Sequence, residues 1–507
     1  MQVLKYQTVI IGSGFAGRTV ADKLPEGSYV IVERGEDRDF AKMQQRFEEK
    51  MRATGDFHAA ENHAYGSEYP WNAPSQLSRW NYSKYSMVRG GTSNWWGGNS
   101  RRCSPETFRR DGPIAWRFSY DELVPWYEQA EQLLRVAGDP ENPVERPFAP
   151  MPGARYWRDA YKPYFNDARL SNVALNRVRG GSVAGLCNGR SQCTICHEDA
   201  KVRPDNVFRE QEALYGAFVM SILFEGDVAT AIECYDGKQL FRIEFERLVV
   251  AANGIETPRL FGRSDLPGGV RKEAIGKFYQ DHGHLDIYCK IGHPLAYGNV
   301  GGLAHVHVPE ISTYYPTELG DIETSAFALT HEPPPQAFKA GLDPDLLYAG
   351  EPQAFMRDLA GCFAMFCELE IPPTAGFSVD LESEAPRILD DDYPKVIDAF
   401  DDVTGQICRK LTALGVEVLG TNPKYRIGYN AHHLSGTMNC SDGPNGVVDR
   451  DMKVIGTCNV YVAGSSVMPR AGGHGPTLTI VALALRLGEH LAALHQSNEE
   501  AGNIVHG

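Results

Sequence analysis

Thr8-Val-Ile-Ile11-Gly12-Ser-Gly14-Phe-Ala-Gly17 carries the first decision about this chain. An apolar run ends in three glycines spaced Gly-x-Gly-x-x-Gly. A helical pattern follows through Leu24, and a second apolar run, Tyr29-Val-Ile-Val-Glu33, closes on an acid. The order is strand, glycine turn, helix, strand, complete within about thirty residues. Gly12 permits the tight turn, Gly14 lets backbone amides approach a pyrophosphate, and Gly17 lets the helix lie close to the sheet. The helix N-terminus offers unpaired N–H donors to the anion. Glu33 stands 21 residues after Gly12, where a carboxylate accepts from ribose hydroxyls. The unit predicts dinucleotide binding; alone it does not separate FAD from NAD.

The whole chain sets the outer bounds. Its 507 residues are enough for two sizeable cores. A net charge of −15 argues against nucleic acid and against an anionic membrane surface as partners. No stretch approaches the ~18 uncharged apolar residues of a spanning helix, so no direct membrane insertion is expected. The first buried strand already begins near Tyr6, which leaves no leader; the expected address is cytoplasmic, with export alongside a partner subunit open. Eleven cysteines are too sparse for a disulfide scaffold, yet Cys187, Cys193 and Cys196 fall within ten residues.

Four further segments follow in order: Arg89-Gly-Gly-Thr-Ser-Asn-Trp-Trp-Gly-Gly98, Leu248-Val-Val-Ala-Ala-Asn-Gly-Ile-Glu-Thr-Pro-Arg-Leu260, His433-Leu-Ser-Gly436-Thr437, and the stretch from Val460 to Leu491 with Gly475-Pro476-Thr477 inside it. Together with the fingerprint they resemble the glucose–methanol–choline (GMC) oxidoreductases over nearly the full chain. One departure is Asn253, which stands where the family's second segment has a glycine. The resemblance implies an α/β protein: a discontinuous Rossmann-like FAD-binding domain (1–282 and 426–507) and an α+β substrate domain (283–425) with a mainly antiparallel sheet. It implies FAD rather than NAD, with contacts at Gly90, Gly91, Thr92, Asn94, Ala252, Gly464, Pro476 and Thr477. Some sugar-oxidising relatives carry a covalent flavin histidine at the position matching Trp95, so the expected FAD is non-covalent.

The residues themselves support parts of this. Gly90, Gly91, Gly97 and Gly98 allow close backbone approach to a flat ligand, and Trp95 and Trp96 supply rigid apolar walls. A Gly/Trp turn packed on the core is the plainer alternative. Ser119-Tyr-Asp-Glu122 reads as a capping box opening a scaffold helix through Leu134.

Turning a carbinol into a carbonyl removes a hydroxyl proton and a hydride, and imidazole is the natural base. His433 matches the family's base, with His432 beside it. The family places a second His or Asn just before the Pro of its last signature. Here that slot holds Gly475, with His474 one residue early. His474 is the favoured second catalytic group, since glycines flank it; a surface histidine is the alternative. Pro476 and Thr477 begin a helix whose N-terminus, in the family, faces the flavin and stabilises negative charge there.

Cys187-Asn-Gly-Arg-Ser-Gln-Cys193-Thr-Ile-Cys196-His197 resembles the cysteine segment of bacterial FAD-dependent sugar dehydrogenases, where three cysteines hold an iron–sulfur cluster. Ala200-Lys201 is present, whereas His197 replaces a proline. Reduced thiols or a disulfide, a zinc site and the haem-attachment pattern CxxCH stay open, in that order.

From about Gly283 to Tyr425, strand-like runs such as Leu285–Lys290, Cys362–Cys367 and Phe377–Leu381 predict the substrate sheet. Asp281-His-Gly-His284 reads as linker packing at its edge. The expected activity is FAD-dependent oxidation of a hydroxyl on a sugar, glycoside, aminosugar or polyol, with His433 as base and electrons passed to an external acceptor, an electron-acceptor protein being one candidate. An oxygen-using oxidase, a flavin-containing lyase, an NAD-dependent dehydrogenase and a non-catalytic electron-transfer subunit are the rivals.

Overall fold

The structure is a computed structural model describing residues 2–66, 86–138, 149–150, 154–176, 195–196, 198–293, 295, 305–329, 353, 360–424 and 436–505. Among these residues, β1 (Gln2–Ile11) runs parallel to β2 (Tyr29–Glu33) and to the Leu240–Val250 strand. β2 continues in parallel to Ala213–Tyr215. Leu240–Val250 pairs parallel with Val460–Val462, close to the other end of the chain, and antiparallel with Val228–Tyr235. The parallel centre is apolar throughout: Val9, Ile10, Val30, Leu248, Val249 and Val462 are fully buried. Strands covered on both faces read as continuous hydrophobic runs, and that is why the fingerprint was legible.

α1 (Phe15–Lys23) leaves β1 through the glycine turn. Gly12 has φ +106°, and a Cβ on Gly17 would stand 2.0 Å from the Gly12 carbonyl oxygen. Any side chain at position 17 would push the helix off the strand. The departure at Asn253 also has a local reason. This residue sits at φ +63°, a region asparagine tolerates better than most. Its Oδ1 accepts from the amides of Ile255 and Glu256 and so caps the Asn253–Gly262 helix.

The second sheet is antiparallel at every described pairing. Its order is Glu417–Lys424, His282–Lys290, Cys362–Glu370, Ile322–Leu329, His305–His307, Arg169–Leu170. The Arg169–Leu170 edge strand comes from the N-terminal half of the chain. The Tyr393–Ala413 helix carries Val396, Phe400, Val403 and Ile407 into the same core. The fold is therefore α/β, with a Rossmann-like sheet built from both chain ends and a mainly antiparallel second sheet.

One expectation needs correction. His282 and His284 open a nine-residue strand rather than a linker; their polar rings are tolerated because His282 bonds the Gly472 carbonyl and His284 the Asp286 carboxylate. One segment, Thr477–Ser497, is long and apolar enough to cross a bilayer. Its apolar residues are accounted for by packing on α1 and on the Tyr120–Leu133 helix. Leu478, Val481, Ala482, Leu487 and Leu491 are buried in the first core. The capping box at Ser119 and Glu122 is present as predicted.

Candidate active site

A cavity of about 380 Å³ lies where the parallel strands end and the antiparallel sheet begins, within the size range of small-molecule and cofactor sites. Gly12, Gly14, Glu33, Gly91, Thr92, Ala252, Gly464, Pro476 and Thr477 all line it. Residues from four separated segments thus meet on one space. Gly17, Gly90 and Asn94 stand behind the wall. Gly17 packs on the turn, and the Asn94 amide donates to the Arg89 and Gly91 carbonyls. The second sheet contributes Phe366 and Glu368 to the same lining.

The turns are pinned to one another. The Ser13 hydroxyl donates to Glu33 at 2.7 Å and accepts from the Gly90 amide at 2.9 Å. The Ser93 hydroxyl accepts from the Phe15 amide at the start of α1. Lys201 is 1% exposed, and its ammonium donates to the Asn94 and Trp96 carbonyls at 2.9 and 3.1 Å. Below these, Asp205 joins Arg18 and Arg89 at 2.6 and 2.7 Å.

A dinucleotide fits this lining. Glu33 accepts from Ser13 twice and from the Gly35 amide once, and a carboxylate has about four acceptor sites, which leaves room for a ribose hydroxyl. A Cβ on Gly97 would meet nothing within 4 Å, and no positive φ requires glycine there. Because Gly97 faces the cavity, its missing side chain leaves space for a ligand. The N-terminus of the Thr477–Val505 helix ends at the cavity through Pro476 and Thr477, where its partial positive charge favours an anion or developing negative charge.

His474 is buried beside this cavity and lines a smaller one. Its Nε2 meets Glu323 at 3.1 Å and its Nδ1 meets the Ser325 hydroxyl at 3.2 Å. Ser325 in turn accepts from Arg101, and Thr107 donates to Glu323. Burial alone would raise the Glu323 carboxyl, but the hydrogen bond and charge of His474 outweigh it and hold the group down to about 2. Burial pushes His282 down to about 4, so at neutral pH it is uncharged and donates Nε2–H to the Gly472 carbonyl. The 471–475 loop is thus held from both sides.

His433 and His432 lie outside the described residues. The anchor just after them is described: Gly436 has φ +93°, and a Cβ there would stand 1.8 Å from the Phe278 carbonyl oxygen. The buried Thr437 hydroxyl donates to the Gly254 carbonyl at 2.8 Å. The Gly-Thr of His-x-x-Gly-Thr is therefore fixed against Phe278 and the Asn253–Gly262 helix. Cys187, Cys193 and His197 also lie outside the described residues. Cys196 is buried, and its sulfur accepts from the Ala200 amide at 3.4 Å. Among the described residues, no group of three His, Cys, Asp or Glu is placed to hold a metal.

Sequence reasoning missed Ser13, Ser93, Glu323, Ser325, Phe366 and Glu368. Ser13 sits between two quoted glycines, so a hydroxyl beside the turn was the available signal. Glu323 had none, because a lone acid in a strand does not announce its histidine 151 residues later.

Residues 420–484 match the GMC oxidoreductase family in its C-terminal region. The chain is 27% identical over 468 residues to the 6'''-hydroxyparomomycin C oxidase of Streptomyces lividus, covering 82% of this chain and 80% of that protein. It is 24% identical over 550 residues to the fructose dehydrogenase large subunit of Gluconobacter japonicus, covering 96% and 97%. In fold it is similar to pyridoxine 4-oxidase from Mesorbium loti, with a TM-score of 0.61 at 15% identity over 96% of this chain and 99% of that one. It is also similar to formate oxidase of Aspergillus oryzae RIB40, with a TM-score of 0.58 at 13% identity over 97% and 99%. The ordered motifs, the two-sheet fold and these relatives agree: the chain is similar to the GMC oxidoreductases, and its residues 420–484 match that family's C-terminal region.

Proposed function

We propose that this protein oxidises a hydroxyl group of a sugar, glycoside, aminosugar or polyol, using non-covalently held FAD. One observation carries the reading: the cavity walled by the dinucleotide fingerprint is also walled by Phe366 and Glu368 of the antiparallel sheet. A cofactor on the fingerprint and a substrate on the sheet would share that space. Bound there, FAD supplies the hydride acceptor. The chain supplies the rest. Glu33 holds the ribose end, and the Gly91–Gly97 wall braced by Lys201 forms the flat face. The start of the Thr477–Val505 helix favours negative charge at its end of the cavity.

His433, three residues before the fixed Gly436 and Thr437, takes the hydroxyl proton. His474, oriented by Glu323 and Ser325, supports the substrate oxygen. Substrates named for two relatives, 6'''-hydroxyparomomycin C and fructose, favour the sugar and aminosugar class. Electrons then pass to an acceptor protein rather than to oxygen, with Cys187, Cys193 and Cys196 as the segment to test for an iron–sulfur cluster. Iron and acid-labile sulfide analysis, run beside oxygen consumption during sugar oxidation, tests this preference. Cluster-free protein that consumes oxygen stoichiometrically with sugar makes it an oxidase.

A further inference from the structure

A second cavity, about 140 Å³, adjoins the His474 loop. Its polar wall is made by Arg101 and Arg102, by Arg169 and Ser171 at the sheet edge, and by His307 and His474. Among the described residues no carboxylate lines it. Arg102 is already neutralised by Glu131, at 2.7 and 2.8 Å. Arg101 donates to the Ser325 hydroxyl at 2.7 Å. Arg169, half-buried, makes no ion pair or side-chain hydrogen bond in the described structure. Two further groups are orphaned: Ser171 Oγ, on a residue 2% exposed, and His307 Nε2, on a residue 7% exposed, have no partner.

Unsatisfied buried polar groups are rare enough that each calls for an explanation, and a missing water or ion is the usual one. The cavity has room for roughly four waters. Water would satisfy the hydroxyl and the imidazole, yet it would leave the guanidinium charge of Arg169 without a counter-charge. Guanidinium, a hydroxyl and an imidazole that carries its proton on Nε2 in one tautomer converge on one small space and match the acceptor oxygens of an oxyanion.

We propose that this cavity is a binding site for a small oxyanion, a carboxylate or a phosphate, held by Arg101 and Arg169 with Ser171 and His307 completing its hydrogen bonds. The anion is either the charged end of a substrate, such as a sugar acid or sugar phosphate, or a free anion bound beside the His474 loop. The site goes beyond the oxidation proposed above and does not depend on it, because binding is read without turnover.

The test is calorimetric titration of the purified full chain with inorganic phosphate and with malonate. At least one probe should bind, with affinity reduced at least tenfold by Arg169→Ala and by Ser171→Ala and partly restored in Arg169→Lys. Arg242→Ala, which alters a surface pair with Glu233, should bind like the wild type. Thermal melts identify variants that fail to fold; Ser171→Ala carries the test if Arg169→Ala is one of them. Phosphate that competes with an anionic sugar marks the anion as the substrate's own. Phosphate that binds without competing marks a free-anion site. No binding of either probe, or equal binding by wild type, Arg169→Ala and Ser171→Ala, overturns the proposal and leaves a water-filled cavity.

Discussion

Replacing Glu323 with glutamine removes one charge and little else. The introduced amide would keep an oxygen for the His474 Nε2–H and a polar end for the Thr107 hydroxyl, so the geometry of the His474 loop should survive. The wild-type carboxyl is held at about 2 against an ordinary 4.5, chiefly by His474 working against burial. A carboxyl depressed on folding stabilises the native state above its unfolded pKa, and that contribution is lost as pH falls through the folded value. The two values give about 3 kcal/mol at pH 7, and about half of that at pH 3. Urea unfolding of wild type and Glu323→Gln at several pH values between 3 and 7 measures it. The gap between them should be near its full size at neutral pH and shrink below about pH 4.5. A gap of constant size across that range would mean that the loss is steric, and the charge argument would be refuted.

Lys201→Met keeps the volume but strips two buried carbonyls of their donor. The expected loss is about 2–6 kcal/mol, with weakened flavin retention, measured by melting and by flavin content after gel filtration. Unchanged values for both would remove Lys201 as the brace of the glycine turn. Gly17→Ala should abolish flavin binding, because its Cβ meets the Gly12 carbonyl at 2.0 Å; a stoichiometric flavin complex contradicts that reading. Asn253→Ala should cost about 2–3 kcal/mol through the lost cap and the left-handed backbone, and Asn253→Gly under about 1 kcal/mol. Equal costs in paired melts would discount the backbone argument.

The parallel core was legible because its strands are buried on both faces and its glycines are fixed by backbone contact rather than by side-chain chemistry. Gly12, Gly17 and Gly436 each leave a trace in sequence, since a Cβ at any of them would stand within 2.4 Å of a carbonyl oxygen. Even Asn253, a mismatch in the motif, keeps the left-handed turn that the glycine would provide. The histidine network was less legible. Glu323, Ser325 and Arg101 reach His474 from a strand and a loop far away in the chain, and such pairings depend on how two sheets dock. The long terminal helix was legible from its start at Pro476 and Thr477. Its apolar length meets the composition of a membrane span, and only its packing on α1 and the Tyr120–Leu133 helix explains it.

The central claim is hydride removal from a sugar hydroxyl with His433 as base. Its most direct test is the anaerobic visible spectrum of purified wild type and His433→Ala, recorded while sugars and aminosugars are added. Both proteins should show flavin bands. At least one substrate should bleach the wild type rapidly, with bleaching slowed by roughly 10²–10⁴-fold in the variant. A colourless protein, a flavin that no hydroxyl donor bleaches, or a variant that bleaches as fast as the wild type would contradict it.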